Sequence, residues 1–335
     1  MKDILEYFRP TLTTESRRRG VRQGLRAGLC TLFALTLGLS AGTAQAALSC
    51  PARSIHPAIA SWRMDAQGNG VYMCRGRDSS GNYMGVTVQM VDFTAGAKMR
   101  VMSEVAAGSP VGTASTQFVK RKSKEWYDWI KAGNVGTPPA SQLFSVTNAS
   151  LFRSVFWGNT SAMSFPQKKW SSITSTGEDP NCQLINGSSA KRMFGLSDPR
   201  AAGRQNAYMN TFNQGCKADF NTASTQLSGY FDAVVAYHPI YGVDETTTDN
   251  RTYLGTKNLG GYWTLPQDIA YVLTSTAHIT TVRAREILTN DFGSMWTMQL
   301  DGGGSTQYYH AAYSDADYGW GPRAVPEVLA IYAAP

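Results

Sequence analysis

The chain has 335 residues, of which 42% are hydrophobic and 16% charged, and a formal net charge of +7. Seven of the 31 basic and three of the 24 acidic residues fall in the first 46, so residues 47–335 carry 24 and 21, a charge of +3. That balance excludes a bulk electrostatic case for nucleic-acid binding, and the length that follows residue 46 suits one large domain or two modest ones.

At the N-terminus, Arg17-Arg18-Arg19, Arg22 and Arg26 form a positive region, Leu29 to Leu39 an apolar one, and Ala44-Gln45-Ala46 a small-x-small cleavage site. This is the pattern of a secretory signal peptide over residues 1–46. The apolar run is too short to span a bilayer. Ser16-Arg17-Arg18 partly matches a twin-arginine signal. The expectation is a secreted or periplasmic protein with no integral membrane span after cleavage. Cys30 lies in the signal; Cys50, Cys74, Cys182 and Cys216 remain. An even count in an exported chain predicts two disulfides, and proximity favours Cys50–Cys74 and Cys182–Cys216. There is no C-x-x-C pair, and no cofactor is expected; a divalent cation near Asp301 is compatible with the chain, but no ligand spacing argues for one.

Residues 47–82 are polar and turn-rich and read as an N-terminal cap stapled by one disulfide. Tyr83 to Phe93 alternates as a strand, with Met99 to Val105 as its partner. Glu125 to Lys131 reads as a short helix and Leu143 to Asn148 as a buried strand. Residues 158–226 read as loops with short strands, and Tyr230 to Ile240 as an apolar strand. Arg251 to Lys257 and Gly261 to Leu265 are expected to form a hairpin across Asn258-Leu259-Gly260. Thr280 or Thr281 caps a helix running to about Asn290. A strand over 295–300 and a terminal strand over 324–332 complete the chain. The predicted class is α+β: a mixed, largely antiparallel sheet core over 83–335, flanked by a few helices and long polar loops.

The sequence lacks G-x-S-x-G, H-E-x-x-H, a phosphate-binding G-x-x-x-x-G-K-[ST] loop and a dinucleotide fingerprint. What stands out is Gln299-Leu300-Asp301-Gly302-Gly303-Gly304-Ser305-Thr306 between two extended segments. Three glycines permit a sharp turn and close approach of a ligand to the backbone, whose amides can face an anion. Asp301 stands at one end and the Ser305 and Thr306 hydroxyls at the other. Two further polar loops lie at strand ends, Asn148-Ala149-Ser150-Leu151-Phe152 and Arg251-Thr252-Tyr253-Leu254-Gly255. His310 follows the glycine turn closely.

These three segments in this order, closed by Arg323-Ala324-Val325-Pro326-Glu327, resemble the phosphodiester glycosidase family, which includes the N-acetylglucosamine-1-phosphodiester α-N-acetylglucosaminidases. The resemblance spans about residues 84–335. It departs at Ala149-Ser150, where the family carries a glycine pair, and at Gln299, where it carries Asn. It implies hydrolysis of a sugar-1-phosphate diester at the anomeric carbon, in a glycan or sugar-phosphate conjugate. Asp301 would be nucleophile, base or cation stabiliser, Arg251 would clamp the phosphate, and Asn148 would hold a sugar hydroxyl or water. Thr252, Gly302, Gly303, Gly304, Ser305, Thr306 and His310 would complete the substrate site. The competing expectation is an exported glycan- or phosphate-binding protein, or an envelope-associated one, with a degenerate site.

Overall fold

The computed structural model describes residues 48–152, 158–177, 184–185, 188–189, 191–201, 203–212, 220–239, 246–262, 266–316 and 322–335. Cys182 and Cys216, with their expected bridge, lie outside the described residues, as does part of the expected 261–265 strand.

Strand alternation builds two faces wherever it is legible. In β1 (Ser61–Gly68), β2 (Val71–Arg77), β3 (Tyr83–Asp92) and β4 (Lys98–Ser103), side chains point alternately to opposite sides of a sheet. Thus Val86, Val88 and Met90 of β3 enter one apolar cluster, while Val91 enters another. Helix α1 (Ser123–Trp129) precedes β5 (Leu143–Asn148). Next come β6 (Lys191–Leu196), β7 (Ala207–Thr211), α2 (Phe220–Gln226) and β8 (Asp232–Tyr237). Strands β9 (Asp249–Lys257) and β10 (Ile269–Ile279) lead into α3 (Thr281–Glu286). The chain finishes with β11 (Trp296–Gln299), β12 (Gln307–His310), β13 (Tyr313–Ala316) and β14 (Glu327–Tyr332).

Among the described residues, an eleven-stranded sheet runs β1-β2-β3-β10-β9-β11-β8-β6-β7, with a short strand, Gln167–Lys169, paired to β8 and another, Ser172–Ser175, paired to that one. A five-stranded sheet runs β13-β12-β5-β14-β4. Neighbouring strands are antiparallel throughout these two sheets. The two sheets share a core of Val91, Met99, Val234, Leu254, Met298, Leu300 and Leu329, among others. Helix α3 packs Ala284, with Ile287 and Leu288 just beyond it, on the opposite face of the large sheet, and α1 packs Trp126 and Tyr127 on the opposite face of the small one. Sheet therefore dominates, and the expected largely antiparallel class is what is found.

Three local expectations change. Residues 61–77, read as part of a cap, form β1 and β2 at the edge of the large sheet, and Ala47–Pro335 is one compact unit. The Cys50–Cys74 disulfide fastens the N-terminal segment to β2. The neighbours of β9 are β10, from Asp249↔Ile279 to Lys257↔Ile269, and β11, from Tyr253↔Gln299 to Thr256↔Trp296. Met99 to Val105, expected beside β3, lies instead as β4 in the small sheet, paired with β14. The helix start is as expected: Thr280 caps α3, its hydroxyl accepting from Arg283 N at 3.1 Å.

The inner face of the large sheet is not uniformly apolar. Thr87, Thr274 and Thr252 form one cross-strand row, each buried. Across from them, Gln89 donates to Thr147 at 2.9 Å and also bonds Ser145. This polar seam ends at Asn148, the last residue of β5, beside the glycine turn.

Candidate active site

The glycine turn is the crossover between the two sheets: β11 ends in the large sheet and β12 begins in the small one. Its glycines are required by crowding. A Cβ on Gly302 would sit 2.9 Å from the carbonyl oxygen of Asn250, and Gly303 has φ +57, with the Asp249 carboxylate 3.4 Å from where its Cβ would be. The turn is thus seated on Asp249 and Asn250, at the start of β9.

Asn148 holds the turn. Its Nδ2 donates to Asp301 O at 2.8 Å, and its Oδ1 accepts from Thr252 Oγ1 at 3.0 Å and Gln307 N at 3.1 Å. It is fully buried, so it positions the loop and cannot meet a sugar or a water where it stands. Thr252 and Thr306 are likewise buried, joined to each other at 3.3 Å. These three residues, expected in substrate contact, are the scaffold under it. Ala149-Ser150 leaves Asn148 seated in the turn by the three hydrogen bonds above. Neither residue takes positive φ, and the segment is tied down by Ala149 N to Glu327 O at 3.2 Å and Ser150 N to the Glu327 carboxylate at 2.9 Å.

Asp301 is half-buried at the rim. Desolvation pushes its carboxyl up to about 6 from 3.8; Ser305, Arg323 and the Gly302 amide pull it down, and Asp249 pushes it further up. Gly302 N donates to its Oδ1 at 3.1 Å. Ser305 Oγ lies close enough to favour the carboxylate but, fully buried, makes no hydrogen bond of normal geometry. Ser305 N and Thr306 N are spent on Gly302 O and Gly303 O. The turn therefore presents two carboxylates and few free amides, which suits a developing cation better than a phosphate.

Arg251 is not the cation of this turn. Side chains alternate along β9, so Thr252 faces Asn148 while Arg251 shares the outer face with Tyr253. Arg251 donates to Ile279 O at 3.2 Å and Thr247 O at 3.3 Å, and it forms no ion pair with Asp301. The arginine acting on Asp301 is Arg323, whose N–H reaches Gly304 O at 3.1 Å. His310 is also outside the cluster. It pairs with Ser145, three residues along β12 from Gln307, and its ring packs on Phe144 at 4.6 Å. At about 3.3 Å per strand residue it is roughly 10 Å from the turn.

Four residues near the turn were not legible as site residues: Asp249, Asn250, Arg323 and Glu327. Asn250 is 1% exposed, and both of its side-chain polar atoms lack partners. Glu327 is 1% exposed, bonded by Ser150 N and Gln167, with burial lifting its carboxyl to about 7. An acid heading an otherwise apolar terminal strand is the sequence signal that marks it, beside its place at the end of the Arg323–Glu327 segment.

No protein-family profile and no curated protein matches the chain. Similar solved structures include the zebrafish N-acetylglucosamine-1-phosphodiester alpha-N-acetylglucosaminidase catalytic domain auto-inhibited by its pro-peptide. It shares 11% identity over 85% of this chain and 87% of that one, at a TM-score of 0.45. A hypothetical protein from Synechocystis aligns at 8% identity over 79% of this chain and 62% of that one, TM-score 0.41. A Burkholderia pseudomallei protein whose name describes it as exported aligns at 11% over 75% and 74%, TM-score 0.40. These likenesses are distant. Among the described residues no helix is long and apolar enough to cross a membrane, and no group of three or more His, Cys, Asp or Glu is placed to hold a metal ion.

Proposed function

We propose that the protein is an exported hydrolase of the phosphodiester glycosidase type, with residues 1–46 as the export signal, cleaving a sugar-1-phosphate diester at the anomeric carbon. The observation that carries this reading is Asp301, a rim carboxyl with a raised pKa, next to Asp249 and fixed through its backbone by buried Asn148. A phosphomonoester leaves readily, so the reaction asks little of a general acid. It asks for stabilisation of an oxocarbenium-like centre and for a carboxylate to act as nucleophile or base. Above about pH 6 Asp301 supplies that carboxylate; Asp249 is the second acid, and Arg323 tempers their repulsion.

The test is an assay of the full chain and of Asp301→Asn and Asp249→Asn on a panel of sugar-1-phosphodiesters, N-acetylglucosamine-1-phosphodiesters included. Loss of turnover by about a hundredfold or more in Asp301→Asn is expected for a reacting carboxylate; undiminished turnover would refute the assignment. The placement of Arg251 away from the turn favours a second reading, a non-catalytic glycan or phosphate binder. Calorimetric binding of the same compounds without turnover would select it.

A further inference from the structure

Where β9 begins, its ladder with β10 is irregular. From Arg251↔Ser275 to Asp249↔Ile279, β9 advances two residues while β10 advances four. Surplus residues on one strand make a bulge, and bulges re-aim side chains. The bulge here turns out His278, exposed and at φ +50, one of three non-glycine residues with positive φ among the described residues. That conformation costs stability and persists where the surroundings impose it. Arg251 braces the place: its Nε donates to Ile279 O at 3.2 Å and its Nη2 to Thr247 O at 3.3 Å, tying the end of β10 to the segment that enters β9.

The bulge forms one wall of a cleft of about 440 Å³, a volume typical of small-molecule sites. The cleft belongs to the outer face of the large sheet, where Ile59, Trp62, Ile279 and Ala284 pack together. His56 enters it from the N-terminal segment. That segment is held by the Cys50–Cys74 disulfide and by Asp291, whose carboxylate accepts from Ser54 Oγ at 2.5 Å, Ile55 N at 2.9 Å and Trp62 Nε1 at 3.0 Å. Thr248, Thr280, Arg283 and Glu286 add polar lining, and Ala277, Ile279 and Val282 an apolar surface.

This lining suits hydroxyl groups better than a charge. Arg283 and Glu286 pair with each other at 3.1 Å. Burial first, then Arg283, lowers the His56 pKa against the opposing pull of Asp291, so this imidazole is neutral at neutral pH. Ala58 N donates to its Nδ1 at 3.2 Å, which puts the ring proton on Nε2 as a donor. Thr280 Oγ1 accepts from Arg283 N at 3.1 Å and keeps its own proton to give. Neutral donors and acceptors beside a small apolar surface complement a sugar ring, with hydroxyls at its edge and C–H groups on its face.

We propose that this cleft binds an uncharged sugar residue of a glycan, with His56 and His278 as its principal hydrogen-bonding groups. Thr248 directly precedes Asp249, yet the cleft does not include Asp301, and it stands whether or not the glycine turn hydrolyses anything.

The chain has four histidines, at 56, 238, 278 and 310, so NMR of the histidine-labelled full chain gives a small set of ring signals that single variants assign. The titrants are glucose, galactose, mannose and N-acetylglucosamine, with inorganic phosphate as the charged counterpart. At least one sugar is expected to move the His56 and His278 rings together and saturably, leaving His238 and His310 in place; phosphate is expected to move neither pair. Affinity should fall about threefold to tenfold in His278→Ala and in His56→Ala, as for the loss of one hydrogen bond. Thr248→Val carries the same expectation and serves where His56→Ala loosens the N-terminal segment. Asp301→Asn leaves sugar affinity unchanged, which separates this site from the hydrolase reading. No saturable shift with any of the four sugars, saturation by phosphate alone, unchanged affinity in both His278→Ala and Thr248→Val, or loss of sugar binding in Asp301→Asn would overturn the proposal.

Discussion

Glu327→Gln is expected to change the pH dependence of stability in a way that its contacts alone would not. Glu327 is 1% exposed, and its carboxyl moves from 4.5 to about 7, chiefly through desolvation, with Ser150 N, Gln167 and Lys169 pulling down and Asp232 pushing up. A carboxyl raised on folding favours the folded state below its unfolded value, and that advantage is lost as pH climbs through the folded value. For a shift of this size the loss between about pH 5 and about pH 7.5 is about 2 kcal/mol. Glutamine keeps the shape and cannot ionise, so this component disappears from the variant. Its pH-independent cost, a donor facing the Gln167 amide nitrogen, is the same at both pH values and cancels. Asp301 contributes a parallel loss in both proteins and cancels as well. Urea midpoints for wild type and variant at the two pH values measure the difference. A variant whose stability falls with pH as steeply as the wild type would refute the burial argument.

Turnover should fall as pH drops through about 6, the value to which Asp301 is raised, if its carboxylate is the reacting form; a pH–rate profile checks this, and Arg323→Gln should move that limb to higher pH by removing the cation that lowers it. Gly302→Ala should destabilise by about 1–3 kcal/mol, since its Cβ meets the Asn250 carbonyl at 2.9 Å; chemical denaturation reads this, and a neutral result would show that the turn can shift. Replacing Cys50 and Cys74 by serine opens a loop between residues 24 apart and should cost about 3 kcal/mol, seen as a lower thermal midpoint that added reductant no longer changes.

Two acids, Asp301 and Asp249, meet at the glycine turn, while Arg251, two residues on from Asp249, turns away from it to Ile279 O and Thr247 O. The fold thereby separates charges that the sequence groups together. Arg251 and Thr252 are adjacent in the chain, yet they serve opposite faces of the sheet. The turn itself consumes its Gly302 amide on Asp301, which leaves it better suited to a carboxylate's work than to holding an anion.

Local pattern was enough for β3, β5, β8, β11 and α3, because each buries a face with a regular period or carries its own cap. It also picked out the glycine turn and Asn148 as meeting points, since three successive glycines free the backbone to reverse sharply between two extended segments. It did not reveal β10. Ile269 to Leu273 is a continuous apolar run, buried on both faces, and such a strand carries no alternation to read. Nor could it assign a face to Arg251, since a period of two is silent about which side is inside until the sheet is packed. Asp249, Arg323 and Glu327 gather around Asp301 and Ser150 only because the crossover between the sheets brings the start of β9 and the start of β14 to the same rim. The chain itself thus set the strands and the turn, and the stacking of two sheets decided which charges meet, because burial and proximity between distant segments exist only after folding.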